Sequence, residues 1–112
     1  MGTEGYVTDP AIAFWVRDHD RPLLEVRVNF GVLTGRQVTP AEIDDLARLL
    51  RTIAPTFEIV AEDRHEFGDS IEVSVHQVVI EMAETGDGVA KDVVGTAELW
   101  ASACYQARHI EI

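Results

Sequence analysis

Residues 23–32, LLEVRVNFGV, alternate without a fault: Leu24, Val26, Val28, Phe30 and Val32 fall on one side, Glu25, Arg27 and Asn29 on the other. A period of two marks a half-buried strand, so the whole segment is predicted as one. Upstream, AIAFWVR at 11–17 is short, apolar and aromatic, which also suits a strand. DHDRP at 18–22 separates the two, since Asp favours turns and Pro22 has no N–H for a ladder. With Ile12, Phe14 and Val16 directed inward, Trp15 faces outward beside Arg17.

After TGRQ at 34–37 the period changes. Thr39-Pro40-Ala41-Glu42 is a helix start: Thr39 accepts from the Glu42 amide, Glu42 reaches back, and Pro40 occupies the first helical position. Ile43, Leu46, Ala47, Leu50 and Ile53 then recur at helical spacing, and the helix ends before Pro55. Residues 56–67 return to alternation, with Phe57, Ile59 and Ala61 inward and Glu58, Glu62, Arg64 and Glu66 outward. Gly68-Asp69 turns the chain into a second strand over 70–82. ETGDG at 84–88 breaks it, and a helix follows from about Ala90 to His109, with Val93, Ala97, Trp100 and Cys104 as its buried stripe. The tail HIEI suits a short edge strand.

The strand at 70–82 loses its phase at His76-Gln77. Before it Ile71, Val73 and Val75 alternate with Glu72, Ser74 and His76; after it Val78, Ile80 and Met82 are the apolar set. A β-bulge would produce this shift and keep one apolar face continuous. Without a bulge, the far half of the strand is buried on both faces because a partner subunit covers the sheet. Both accounts put His76 on the polar face of the sheet or at its margin.

The element order is β-β-α-β-β-α, with a final β if the tail pairs. This is an α+β chain of one domain over residues 1–112, residues 1–10 forming a flexible N-terminal segment. The architecture is a two-layer sandwich: a mostly antiparallel sheet of four to five strands with two helices on one face. Without its first strand the order resembles the ferredoxin-like arrangement, in which two helices cover one face of an antiparallel sheet. The resemblance rests on element order, and unrelated activities share that layout, so it implies a fold and no function.

Composition narrows the functional classes. Twenty Asp and Glu oppose nine Lys and Arg, giving a net charge of −11, and Lys91 is the only lysine. Such a surface repels phosphate backbones and anionic membranes, which argues against nucleic-acid and membrane partners. The N-terminus lacks the basic and apolar stretches of a secretory signal, and a lone cysteine cannot form an internal disulfide, so a cytoplasmic protein is expected.

No motif specifies chemistry. GDGVAK at 86–91 stops short of a phosphate-binding pattern, because Lys91 stands where the third glycine belongs. EDRHE at 62–66 puts His65 opposite to Glu62 and Glu66, with Asp63 the nearest same-face ligand, and DHD at 18–20 reads as a turn. Cofactor and metal sites are therefore not expected. Cys104 lies on an apolar stripe and reads as a small buried hydrophobe.

The expected function is association, as a homodimer or on a larger protein partner, through the helix-free sheet face. Glu25, Arg27, Glu58, Glu62, Arg64, Glu72, Ser74 and His76 supply alternating charge there, with Trp15 and Arg17 on the first strand. The alternative is a small enzyme or small-molecule sensor with a pocket on that same face. In it His76 acts as base, Glu62 orients it, and Arg27 or Arg64 holds an anionic group. One histidine without a paired motif favours the non-enzymatic reading.

Overall fold

The computed structural model describes residues 12–18, 23–54, 56–69, 72–83 and 87–110, without the side chains at 18, 64, 66, 72, 73, 87 and 108–110. Four strands form one antiparallel sheet: β1 (Ala13–Asp18), β2 (Leu23–Val28), β3 (Glu58–Phe67) and β4 (Glu72–Ala83), in the spatial order β1-β2-β4-β3. Three helices accompany them: α1 (Phe30–Thr34), α2 (Pro40–Leu50) and α3 (Asp87–Ile110). The long α3 lies along β1 and β2, α1 packs against β4, and α2 packs on α3. The result is a two-layer α+β sandwich consistent with the ferredoxin-like layout. The edge beside β2 is taken by a strand that precedes it in the chain.

The core forms where β2 and β4 turn the same side to the helices. Leu24, Val26 and Val28 pair across the strands with Met82, Ile80 and Val78, and none of the six is more than 4% exposed. Directly opposed residues of antiparallel strands share a face, so this is one apolar surface. The stripe of α3 meets it with Ala90, Val93, Ala97, Trp100, Ala101 and Cys104, and α2 adds Leu46 and Leu50. The capping box at Thr39 and Glu42 is present in both directions, with Pro40 at the first position.

Several sequence expectations need correction. Alternation over 23–32 does not continue as a strand: β2 ends at Val28 and residues 30–34 are helical. Phe30 still reaches the core at 0% exposure, whereas Val32 stands in solvent at 70%. Residues two positions apart on a helix point to different sides, so Phe30 is buried while Val32 is not. The turn closes when Thr34 Oγ1 donates to the Phe30 carbonyl at 2.8 Å and Gly35 takes a left-handed φ of 74°. Among the described residues the short α1 thus joins the two expected helices, α2 and α3. On β1 the parity is reversed. Trp15 pairs opposite Val26 and packs on the core, and Arg17 lies opposite Leu24 on the helix side. Phe14 and Val16, opposite Arg27 and Glu25, occupy the free face. With apolar residues at every position from 11 to 16, alternation could not decide which set turns inward. Among the described residues no fifth strand forms, since positions 109–110 close α3. The segment 1–10 and the remainder of the tail lie outside the described residues.

The pairing of β3 with β4 runs unbroken from Glu58↔Glu81 to Phe67↔Glu72, so there is no bulge at His76-Gln77. Instead β4 is buried on both faces from Gln77 to Ile80 within the one chain, each of these residues being at most 6% exposed without a partner subunit to cover them. Because β2 pairs only with residues 78–83 of β4, the segment 72–77 pairs with β3 alone. The β3–β4 hairpin thus projects past the rest of the sheet as a two-stranded ribbon.

α1 seats on the root of that ribbon through Gly31. A Cβ added there would stand 2.8 Å from His76 Cβ and 3.1 Å from its backbone nitrogen. Neither atom can swing aside, so any side chain lifts the helix. Replacing Gly31 with Ala is expected to cost about 1–3 kcal/mol, as overpacking does. Denaturant unfolding measures it, and Gly88→Ala, with open space around the added methyl, serves as the control expected to unfold like the parent. Cys104 gives a second check: burial, reinforced by the nearby Glu42 carboxylate, pushes its thiol up to about 12. Alkylation at mildly alkaline pH is expected to be negligible in the native protein and to follow the unfolding curve.

Candidate functional site

The sheet face away from the helices is organised in rows across the strands. One row runs Val16, Glu25, Glu81, Glu58; the next runs Phe14, Arg27, Val79, Val60; Gln77 and Glu62 are paired beyond it. Glu25, Arg27, Glu58 and Glu62 are therefore brought together as the alternation of β2 and β3 implies. Arg27 is their centre: its guanidinium lies 2.7 Å from Glu25 and 3.5 Å from Glu62, and it donates to Gln77 Oε1 at 3.1 Å. Gln77 is buried, and its amide donates onward to Asn29 Oδ1 at 2.7 Å, so both ends of a buried polar side chain are satisfied. Val79 lies 2% exposed in the middle of this face, and Val16 and Val60 are 41% and 38% exposed towards its two edges.

The first row has a different character. Glu25, Glu81 and Glu58 are directly opposed on three adjacent strands. Like charges in that position destabilise a sheet. Arg27 compensates Glu25, but Glu58 and Glu81 make no ion pair among the described residues. Beside them lies a cleft of about 430 Å³ lined by Leu23, Thr56, Phe57, Glu58, Glu81, Met82 and Ala83.

His76 and Ser74 do not belong to this face. The unbroken register places them with Asp63 and His65 on the helix side, where the ribbon emerges from under α1. The expected constellation of His76 with Glu62 and Arg27 is thus divided between opposite faces of the sheet. Asp63, and not Glu62, is the carboxylate at His76: Nδ1 lies 2.9 Å from Asp63 Oδ1. The Val38 amide donates to Nε2 at 3.3 Å. With Nε2 an acceptor, the ring is the tautomer that donates through Nδ1 to Asp63. Both nitrogens are engaged within the protein, and the edge of the Phe30 ring packs against the imidazole at 6.3 Å between centroids. His76 therefore anchors the α1–α2 connection to the sheet; it is not presented as a general base.

Next to it, Ser74 Oγ and His65 Nδ1 are 2.8 Å apart. Asp63, His65, Ser74 and His76 line a second cleft, of about 500 Å³, with Gly31, Val32, Gly35, Arg36, Gln37 and Val75. The polarity pattern marked Asp63 only as a same-face neighbour of His65 and Asn29 as a polar-face neighbour of Arg27, and gave no sign that Gln37 or Gln77 would bond to them. Their roles depend on which strands meet, which local spacing does not encode. The side chains of Arg64 and Glu72 lie outside those described.

The Arg36 guanidinium that lines this cleft is held from behind. It binds Glu42 in two bonds of 2.9 and 2.6 Å and lies over the Phe30 ring at 5.4 Å. Glu42 also accepts from the Thr39 amide at 2.9 Å. The Arg36 bonds foremost, and the capping bonds after them, hold the Glu42 carboxyl down from 4.5 to about 2. Among the described residues no three His, Cys, Asp or Glu side chains converge as a metal site, and no helix is long and apolar enough to cross a membrane. No protein-family model, curated protein or solved structure matches this chain.

A carboxyl held low in the native state contributes stability that is complete above its unfolded value and disappears as pH falls through its folded one. For Glu42 that window is about pH 4.5 down to about 2. Glu42→Gln is therefore expected to be less stable than the parent at neutral pH, with the difference shrinking across this window. Urea unfolding at a series of acidic pH values reads it.

Proposed function

We propose that the protein acts by association, its helix-free sheet face receiving a basic segment of a partner protein. The observation that carries this reading is the carboxylate row Glu25–Glu81–Glu58 across three strands, with two members lacking an ion pair among the described residues. Such a row costs stability, and residues kept at a stability cost are commonly those used for binding. The cleft beside Glu58 and Glu81 has apolar walls from Leu23, Phe57 and Met82. An apolar wall ending in carboxylates suits the aliphatic stem and cationic head of a Lys or Arg side chain. The exposed Val16 and Val60 give the flanks apolar area for the rest of the segment.

Charge also chooses between partners. On this face Glu25, Glu58, Glu62 and Glu81 oppose Arg27 alone among the described side chains. A second copy presenting the same face would bring carboxylates against carboxylates, which favours a basic protein over a homodimer. The net charge of −11 adds steering for such a partner. A cytoplasmic, non-enzymatic binding module fits this reading.

Glu81→Gln separates binding from folding. The variant is expected to gain about 0.2–1 kcal/mol of stability at low salt, because a like-charge contact is relieved. It is also expected to bind a Lys- and Arg-containing peptide severalfold more weakly by calorimetry, with the parent's affinity falling as salt rises. A less stable Glu81→Gln protein, peptide binding indifferent to this change, or a salt-insensitive homodimer in sedimentation would each contradict the proposal.

A further inference from the structure

The cleft between α1 and the ribbon is separate from the carboxylate row and lies on the other face of the sheet. Its internal bonds leave a definite charge. The one guanidinium in its lining, Arg36, is neutralised by two bonds to Glu42. Asp63 is oriented through Oδ1, which accepts from His76 Nδ1–H. That direction follows because the Val38 amide already occupies Nε2. Asp63 Oδ2 has only a contact from the Gln37 amide at the 3.5 Å limit of a hydrogen bond, and the side chain is half exposed. One carboxylate oxygen thus stands oriented and scarcely used, in a cleft whose one described guanidinium is already paired. Ser74 Oγ, 2.8 Å from His65, supplies a neutral polar neighbour.

The rest of the lining is sterically open and partly apolar. Gly31 and Gly35 place no side chain over the cleft, and Val32 stands at its lip 70% exposed. A volume of about 500 Å³ suits a small molecule. We propose that this cleft binds a small organic cation, an ammonium group pairing with Asp63 Oδ2 and an apolar body resting on Val32. Anions are disfavoured by the same carboxylate, and a metal ion lacks a third ligand among the described residues. His76 is a positioning residue here: it aims Asp63 and, through Val38, holds the loop that walls the cleft. A half-exposed carboxylate is screened by water, so the affinity is expected to be near the millimolar scale, about −4 kcal/mol.

The test is an NMR titration of the full chain with butylammonium and benzylammonium chlorides, against butyrate and benzoate as controls. Saturable shifts at residues 31–38, 63–65 and 74–76 are expected with the ammonium ions, larger for the aromatic one and independent of any shifts at the Glu58–Glu81 cleft, and none at these residues with the carboxylates. Asp63→Asn should weaken binding about tenfold, a loss of one decade in affinity. Glu62→Gln, one residue away on the opposite face, should leave it unchanged. Should Asp63→Asn disturb the fold, Ser74→Ala keeps the Asp63–His76 pair and should still weaken binding severalfold. The assignment is overturned if the carboxylates bind as well as the ammonium ions. It is equally overturned if Glu62→Gln weakens binding as much as Asp63→Asn, or if no saturable shift appears at the cleft with either cation.

Discussion

The helix layer is tied together at one glutamate. Glu42 closes the N-terminus of α2 through its capping bonds with Thr39, grips Arg36 in the preceding loop with both oxygens, and offers its backbone carbonyl to the indole N–H of Trp100 on α3 at 2.9 Å. Charge-assisted, two-point contacts of this kind are stronger and more directional than neutral hydrogen bonds. Trp100 in turn stacks at 5.3 Å on Phe30, whose ring carries the Arg36 guanidinium on its face. Removing the carboxylate would loosen the start of α2 and the α1–α2 loop together, and leave the backbone bond to Trp100 in place. The wall of the cleft beside His76 is built on that same loop, so its shape depends on the Arg36–Glu42 contact.

Local signals survive into the structure where the physics that makes them is local. The Thr39-Pro40-Ala41-Glu42 start needs only four consecutive residues, and the stripe Val93–Ala97–Trp100–Cys104 needs only one helix and an apolar neighbour; both are found as read. Strand parity is another matter. Alternation states that two sets of side chains point apart, and it leaves open which set meets the helices. At Trp15 both sets are apolar, so nothing local distinguishes them. At His76 the apolar set changes faces because β2 stops at Val28, a fact about a strand almost fifty residues upstream. Phe30 was legible as a core residue, although the element that carries it there is a helical turn and not a strand.

The same change of parity decides the chemistry. A reading that kept one apolar face through β4 grouped His76 with Arg27 and Glu62. The register separates them, leaving an ionic ladder on one side and a His–Asp pair under α1 on the other. Gln77 shows why the two sides stay distinct. It is buried in the central strand, hydrogen-bonded at both ends of its amide, and one residue from His76 with its side chain turned the opposite way.

β4 also joins two regimes of stability within a single strand. From Val78 to Ile80 its residues are at most 2% exposed and its backbone is bonded to strands on both sides, the conditions for the slowest amide exchange in a protein. Six residues earlier it has one partner strand, and Phe67 near the tip of the ribbon is 75% exposed. A two-stranded ribbon by itself is marginal in water. Fraying can therefore travel inward from the tip without cost to the core until it reaches Gly31 on His76. That contact is the boundary between a part of the molecule that breathes and a part that opens only when the whole chain unfolds.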